Sequence, residues 1–290
     1  LIVSIASFPE EEKPNFISIN SEIIKMKKVI GLVAAMGLMT SSLSYASTAI
    51  TVSGSTSVTN VMEVLAETYS NASNNNVEVQ GTGSSAGIRA AKDGTSMIGM
   101  SSRAIKDSEK TVDTKEVVIA RDGIAVTTNN SNPVTNLSKE QISKIYRGEL
   151  KNWKQVGGEN RAIVVVTRDA ASGTRGAFED IMGLKRKIND VEVSAITATA
   201  QVGNGNGMVK TIVANNPYAI GYISLGSVDD SLRALSVDGV AANDENIATG
   251  DYGIARPFIV MMKNDVAPQA TDFINYILSD NGQKVVAEQG

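Results

Sequence analysis

Apolar positions along this chain follow two alternating rhythms. A short β-prone run, Ala49 to Ser53, is followed by the small polar residues Gly54-Ser55-Thr56-Ser57, after which Val58, Val61, Met62, Leu65 and Tyr69 recur at helical spacing. The spacing predicts strand, tight loop and amphipathic helix. Val77 and Val79 then alternate in a second strand that runs into Gly81-Thr82-Gly83-Ser84-Ser85-Ala86-Gly87 and a helix stopped by Gly94. Met97 to Met100 is a third apolar run, ending in Ser101-Ser102-Arg103, and Glu116 to Thr128 holds strand material around Arg121-Asp122-Gly123. Strands alternating with helices predict an α/β fold with a largely parallel sheet.

The polar, turn-rich stretch Asn129 to Pro133 interrupts this rhythm and reads as a crossing into a second lobe. Ser138 with Gln141 three residues on is a capping box ahead of Ile142, Ile145 and Tyr146. Ile163 to Thr167 reads as a strand buried on both faces; Arg168-Asp169-Ala170-Ala171-Ser172-Gly173-Thr174 is the loop after it, and a helix follows through Phe178 and Ile181. Gly203-Asn204-Gly205-Asn206-Gly207 opens a helix expected to turn Met208, Ile212 and Val213 inward, and Tyr218 to Ser224 supplies the next strand. Trp153 reads as a packing residue of this second lobe. Ile254 to Met262 returns to the first lobe, where a terminal helix starting near Pro268 is expected to bury Phe273, Ile274, Ile277 and Leu278. The expected division is therefore 47–126 with 253–290 for lobe one and 127–252 for lobe two.

Ahead of the fold, Lys27-Lys28, the apolar run Val29 to Met39 and Ser44-Tyr45-Ala46 have the layout of a secretory signal over residues 26–46. Residues 1–25 are read as an over-extended start and set outside the fold. The apolar run is too short to span a bilayer, and a lipid anchor at the cleavage point needs a cysteine. Export to the periplasm as a soluble protein is the expectation.

The 290 residues include no histidine and no cysteine. Disulfides, Cys/His zinc sites, thiol nucleophiles and Ser/His/Asp triads are thereby excluded. No serine stands three residues before a lysine and no Gly-Lys pair occurs, which removes a Ser/Lys dyad and a Walker loop. The net charge of −4 argues against a nucleic acid partner. No acidic cluster at ligand spacing suggests a metal, and no cofactor motif is complete; the glycines at 81, 83 and 87 miss the dinucleotide fingerprint by one residue.

What the chain does carry is a repeated junction. Thr56/Ser57, Ser84/Ser85, Ser101/Ser102 and Ser172/Thr174 all fall after predicted strands, mostly where helices begin. A helix N-terminus presents unpaired N–H groups and partial positive charge, and hydroxyls add donors without net charge, so such junctions can cradle an anion. Each hydroxyl could instead be a simple N-cap. Arg168, directly after the buried strand and four residues before Ser172-Gly173-Thr174, adds a guanidinium suited to a tetrahedral oxyanion. Arg103 and Arg121 are weaker candidates for the same task, with surface or hinge ion pairs as the alternative.

These motifs together resemble the solute-binding subunits of phosphate ABC transporters, with Arg168-x-x-x-Ser172-Gly173-Thr174 the most specific of them. The resemblance implies a two-lobed periplasmic-binding-protein fold (Venus-flytrap, type II) with a hinge. It implies a protein that binds inorganic phosphate and delivers it to a membrane ABC permease; a monomer is expected, and an enzyme such as a phosphatase is disfavoured by the missing His, Cys and acidic cluster. Its ligands would be Thr56, Ser57, Ser84, Arg168, Ser172, Gly173 and Thr174. Relatives often carry, after the serine of the third loop, an aspartate that accepts the ligand's proton; this chain has Ser102 there. Asp122 is the alternative carboxylate, expected either to reach the ligand and reject sulfate or merely to pair with Arg121 or shape the Asp122-Gly123 turn. Another oxyanion such as sulfate or molybdate, or a phosphate-binding role in adhesion or biofilm, stays open.

Overall fold

In a computed structural model, residues 49–289 are described. The signal peptide and start assigned to residues 1–46 lie outside them. The first unit is β1 (Ile50–Gly54), α1 (Thr56–Ser73), β2 (Val77–Gly81), α2 (Ser84–Asp93) and β3 (Ile98–Ser101), as the apolar rhythm predicts. A long strand β4 (Thr114–Thr128) follows, then β5 (Asn136–Leu137), α3 (Lys139–Tyr146), β6 (Val164–Arg168) and α4 (Gly173–Ile181). The hairpin β7 (Lys185–Ile188) and β8 (Val191–Ser194) precedes β9 (Gln201–Gly203), α5 (Gly205–Ala214) and β10 (Ala219–Ser224). The chain continues through β11 (Arg233–Ala234), β12 (Ser236–Val237) and α6 (Asp244–Thr249) to β13 (Ala255–Lys263), α7 (Pro268–Leu278) and α8 (Asp280–Glu288). Ser138 caps α3 with the predicted capping box, Gln141 reaching back to the Ser138 amide.

The main sheet runs β2-β1-β3-β13-β4-β10-β6-β9. It is parallel only at its flanks: β1 pairs parallel with β2 and β3, and β6 with β9 and β10. At the centre β13 pairs antiparallel with β3 and β4, and β4 with β10. The largely parallel sheet expected from sequence is thus corrected, because the two strands that link the halves run in opposite directions and lie side by side.

Two principal cores flank that centre. One gathers Val52, Val58, Leu65, Met100 and Phe273. The other gathers Ile145, Tyr146, Trp153, Phe178 and Tyr222. β4 enters the first through Ile119 and the second through Ile124 and Val126; β13 enters the second through Ile254 and Ala255, beside its start, and the first through Phe258 and Val260. The changeover falls at Asp122-Gly123 within the strand, ahead of the turn at Asn129 to Pro133 where polarity alone suggested it. Val165 faces the second core and Val166 a smaller cluster with Val209 and Val213, so β6 is covered on both faces as expected. Met208 and Leu278, expected inside, are 49% and 46% exposed. Ser279 ends α7 and caps α8 by accepting from the Gly282 amide, so two helices stand where one was expected.

The first sheet and α2 approach too closely for a side chain at Gly87. A Cβ there would stand 2.5 Å from both Gly54 Cα and Ser53 O, and 3.0 Å from Met100 O, all backbone atoms. Gly87→Ala should therefore destabilise the protein by about 1–3 kcal/mol, the usual cost of overpacking. The measurement is a urea midpoint lowered at unchanged slope.

Candidate functional site

The first turns of four helices converge where the two cores meet. At α1, Ser55 is the cap, its Oγ accepting from the amides of Ser57 and Val58; Thr56 and Ser57 keep their own hydroxyls for other partners. At α4 the cap is Ser172, which accepts from the Arg175 amide at 3.2 Å. Behind Gly83, α2 begins at Ser84 with no side-chain cap, and α5 begins behind Asn204 in the same way.

Ser57 is the hub. Its Oγ accepts from Asn206 Nδ2 at 3.0 Å and from Arg256 Nη2 at 3.0 Å, and lies 2.8 Å from Thr174 Oγ1. A hydroxyl has two lone pairs and one proton, so with both lone pairs taken Ser57 donates to Thr174. The Thr174 proton then points elsewhere within a buried centre.

Arg168 is 1% exposed. Its Nη1 donates to Asn206 Oδ1 at 2.9 Å and its Nη2 to Thr56 Oγ1 at 3.1 Å, while Nε is buried without a partner. Burial pulls its affinity for its proton below the ordinary arginine value, opposed by Asp169, whose carboxylate is 3.9 Å from Nη2. A guanidinium nonetheless stays charged. Its backbone is fixed from both sides: the Arg168 amide donates to Tyr222 Oη, and Arg175 Nη1 donates to the Arg168 carbonyl. Burial pushes the Tyr222 phenol up to about 12, so it remains a neutral hydroxyl.

Ser84 and Ser102 close the other side. The Ser102 amide donates to Ser84 Oγ at 3.1 Å, and the Ser85 amide donates across to the Ala171 carbonyl at 3.1 Å. Gly173 sits against both serines: a Cβ there would overlap Ser84 Oγ and approach Ser102 Oγ to 2.7 Å.

The sequence matches the PBP superfamily domain over residues 41–281. It is 32% identical over 247 residues to the phosphate-binding protein PstS of Borreliella burgdorferi, covering 83% of this chain and 88% of that one. A phosphate ABC transporter substrate-binding protein from Clostridium perfringens, solved with bound phosphate, superposes with a TM-score of 0.79 at 43% identity over 83% of this chain and 98% of that one. An ABC-type phosphate transport receptor from Vibrio cholerae gives 0.70 and 44% over the same shares. The chain belongs to the PstS family of phosphate ABC transporter substrate-binding proteins. Its α/β architecture is the periplasmic-binding-protein fold, and the proteins of the PstS family bind rather than catalyse.

Within this PstS-family chain, Thr56, Ser57, Ser84, Ser102, Arg168, Ser172, Gly173 and Thr174 come together as the sequence pattern grouped them, Ser172 with its oxygen used as a cap. Asp122 does not pair with Arg121, which is exposed on the neighbouring position. Its carboxylate instead accepts from Arg256 Nε at 3.0 Å and Nη2 at 2.8 Å, and from Ser224 Oγ at 2.8 Å. Asp122 and Arg256 are directly opposed on β4 and β13, which is what brings them into register. Burial pushes the carboxyl up and the guanidinium down, each opposed by the other's charge. Arg103, by contrast, is committed to Glu109 through two 2.7 Å bonds and to Ser85.

Sequence reading missed Asn206 and Arg256. The Gly203 to Gly207 run was visible as a helix start after a strand, but lacked the hydroxyls that marked the other junctions. Arg256 carried one signal only, a charge inside the apolar run Ile254 to Met262.

Gly173→Ala should wedge Ser84 away from α4 and hold the two halves apart. Small-angle scattering is expected to give the variant a larger radius of gyration than the wild type; an unchanged radius with unchanged stability contradicts the close contact.

Proposed function

We propose that this protein captures inorganic phosphate between two lobes and passes it to a membrane ABC permease. The two lobes, expected from sequence at 47–126 with 253–290 and at 127–252, would pass into one another within the paired strands β4 and β13 and turn on them. The observation that carries the reading is the convergence of Thr56, Ser57, Ser84 and Ser102 from one side with Arg168, Gly173, Thr174 and Asn206 from the other, together with a guanidinium nitrogen, Arg168 Nε, that is buried without an acceptor. Orphaned buried donors are costly, and an anion seated among them would supply the missing acceptors. Helix N-termini and neutral hydroxyls suit this task because they stabilise an anion while adding no charge that would need a counter-ion. The Clostridium perfringens structure with bound phosphate, at 43% identity, supports this choice of ligand.

The signal-like segment at 26–46 and the absence of cysteine support export as a soluble periplasmic protein without a lipid anchor. Among the described residues, no helix is long and apolar enough to cross a membrane.

Arg168→Ala should weaken phosphate binding roughly 10- to 150-fold, the equivalent of about 1.5–3 kcal/mol for a charge-assisted hydrogen bond. Arg103→Ala should weaken it much less, because Arg103 spends its donors on Glu109. Calorimetric titration distinguishes them, and equal losses would sink the assignment of Arg168.

Ligands drawn from both lobes bind fully only when the cleft is closed, so phosphate should shift an open–closed equilibrium. Scattering at saturating phosphate is expected to give a smaller radius of gyration than the free protein; no change would count against capture by closure.

A further inference from the structure

Arg168 can present its guanidinium to an anion only while its main chain stays in place, and β6 ends at Arg168 itself. From there the chain leaves the sheet as a short loop and re-enters regular structure at Gly173, the first residue of α4. The arginine and the helix start thus sit at the two ends of one loop. Left to itself, that loop would let them drift relative to one another.

The bonds inside the loop are local. Asp169 Oδ1 accepts from the Ala171 amide at 2.8 Å, and the Asp169 carbonyl accepts from the Ser172 amide at 3.2 Å. They shape the bend without tying its ends together. The bond that spans it comes from Arg175, in the first turn of α4, whose Nη1 donates to the Arg168 carbonyl at 2.9 Å, seven residues back. The Arg175 amide donates to Ser172 Oγ, so a single residue grips both the strand end and the helix cap.

Arg175 is held in its turn. Its Nε donates to Glu179 Oε1 at 2.8 Å, one turn further along α4, and the same oxygen accepts from Ser194 Oγ at 2.7 Å. Ser194 closes β8, in the hairpin that stands outside the main sheet. Glu179 is 8% exposed, and a carboxylate so far from water needs a fixed partner. A guanidinium is planar with its donors in a rigid fork, so two acceptors, one at Nε and one at Nη1, set its orientation. Among the described residues, the Arg175 side chain bonds to no hydroxyl of the anion centre.

We propose that, on the phosphate reading above, Arg175 is a positioning residue: backed by Glu179 and Ser194, it locks the end of β6 to the start of α4 and holds Arg168 and the Ser172-Gly173-Thr174 turn in one arrangement before the anion arrives. A site ordered in advance loses less freedom on binding, so the lock adds affinity while the Arg175 side chain stays off the ion.

Equilibrium dialysis against radiolabelled phosphate is the test, because it reads weak binding as well as strong. Arg175→Met is expected to raise Kd about tenfold. In an Arg168→Ala background the same substitution should change Kd less than about threefold, since no guanidinium remains to be held. Equal losses in the two backgrounds overturn the proposal, because Arg175 would then act on the ion independently. Attraction at a distance is the rival cause, and salt separates the two. The loss should be the same at about 0.01 and about 1 M sodium chloride, whereas a loss that disappears at high salt is screened long-range charge and also overturns it. Because Arg175→Met leaves Glu179 buried without its cation, the pair Arg175→Met/Glu179→Gln, which removes both charges and keeps the shape of the carboxylate, is measured beside it. It should melt near the wild type and still lose about tenfold in affinity; wild-type affinity in this folded variant removes Arg175 from the role. If the wild type binds no phosphate, it is the reading of the site that fails, and Arg175 has nothing to position.

Discussion

A guanidinium taken out of water must find acceptors and counter-charge inside the protein, and two of them, Arg168 and Arg256, are buried at the place where the cores of this protein meet. Burying an isolated charge is prohibitive, so their surroundings had to be built to receive them. Arg256 is met by Asp122 on the neighbouring strand. Arg168 is met mostly by neutral groups, Asn206 and Thr56, with Asp169 more distant. The asymmetry matters: the first arginine is neutralised as part of the scaffold, while the second keeps charge to offer.

That requirement explains why the halves join through strands and not through a flexible linker. The register that sets Arg256 against Asp122 exists only because β13 and β4 lie antiparallel across the changeover between cores. Phe258, two residues on, lies under the Arg256 guanidinium at 5.6 Å. Strands in register hold the buried ion pair of Asp122 and Arg256 in place, yet a pair of strands crossing between two cores can twist as a unit. The same two segments can thus both fix the charges and serve as the hinge of the proposed closure.

Neutral donors complete the arrangement. The helix starts at Ser57, Ser84, Gly173 and Asn206 contribute hydroxyl, amide or carboxamide groups whose protons can be redirected by small rotations. In the present arrangement they bond to one another across the halves, as Ser57 does with Thr174. Bonds of this kind are exchangeable for bonds to an anion at little net cost, because each donor keeps one partner in either state.

The local units were legible in the sequence because their signals are local. Helical spacing from Val58 to Tyr69, the capping box at Ser138 and the hydroxyl-rich junctions reflect constraints within a few residues, and they appear where the pattern set them. Arg168 was legible for the same reason, since a charged residue closing a buried strand and followed by Ser172-Gly173-Thr174 needs no distant partner to be noticed. What only the tertiary structure decided are the relations between segments far apart in the chain. Sheet direction at the centre, the choice of Arg256 over Arg121 as the partner of Asp122, and the arrival of Asn206 at Ser57 all depend on which strands become neighbours. Neighbours are selected by burial of whole faces over both cores, and residues 134 apart, as Asp122 and Arg256 are, leave no mark of their pairing in the spacing of either segment.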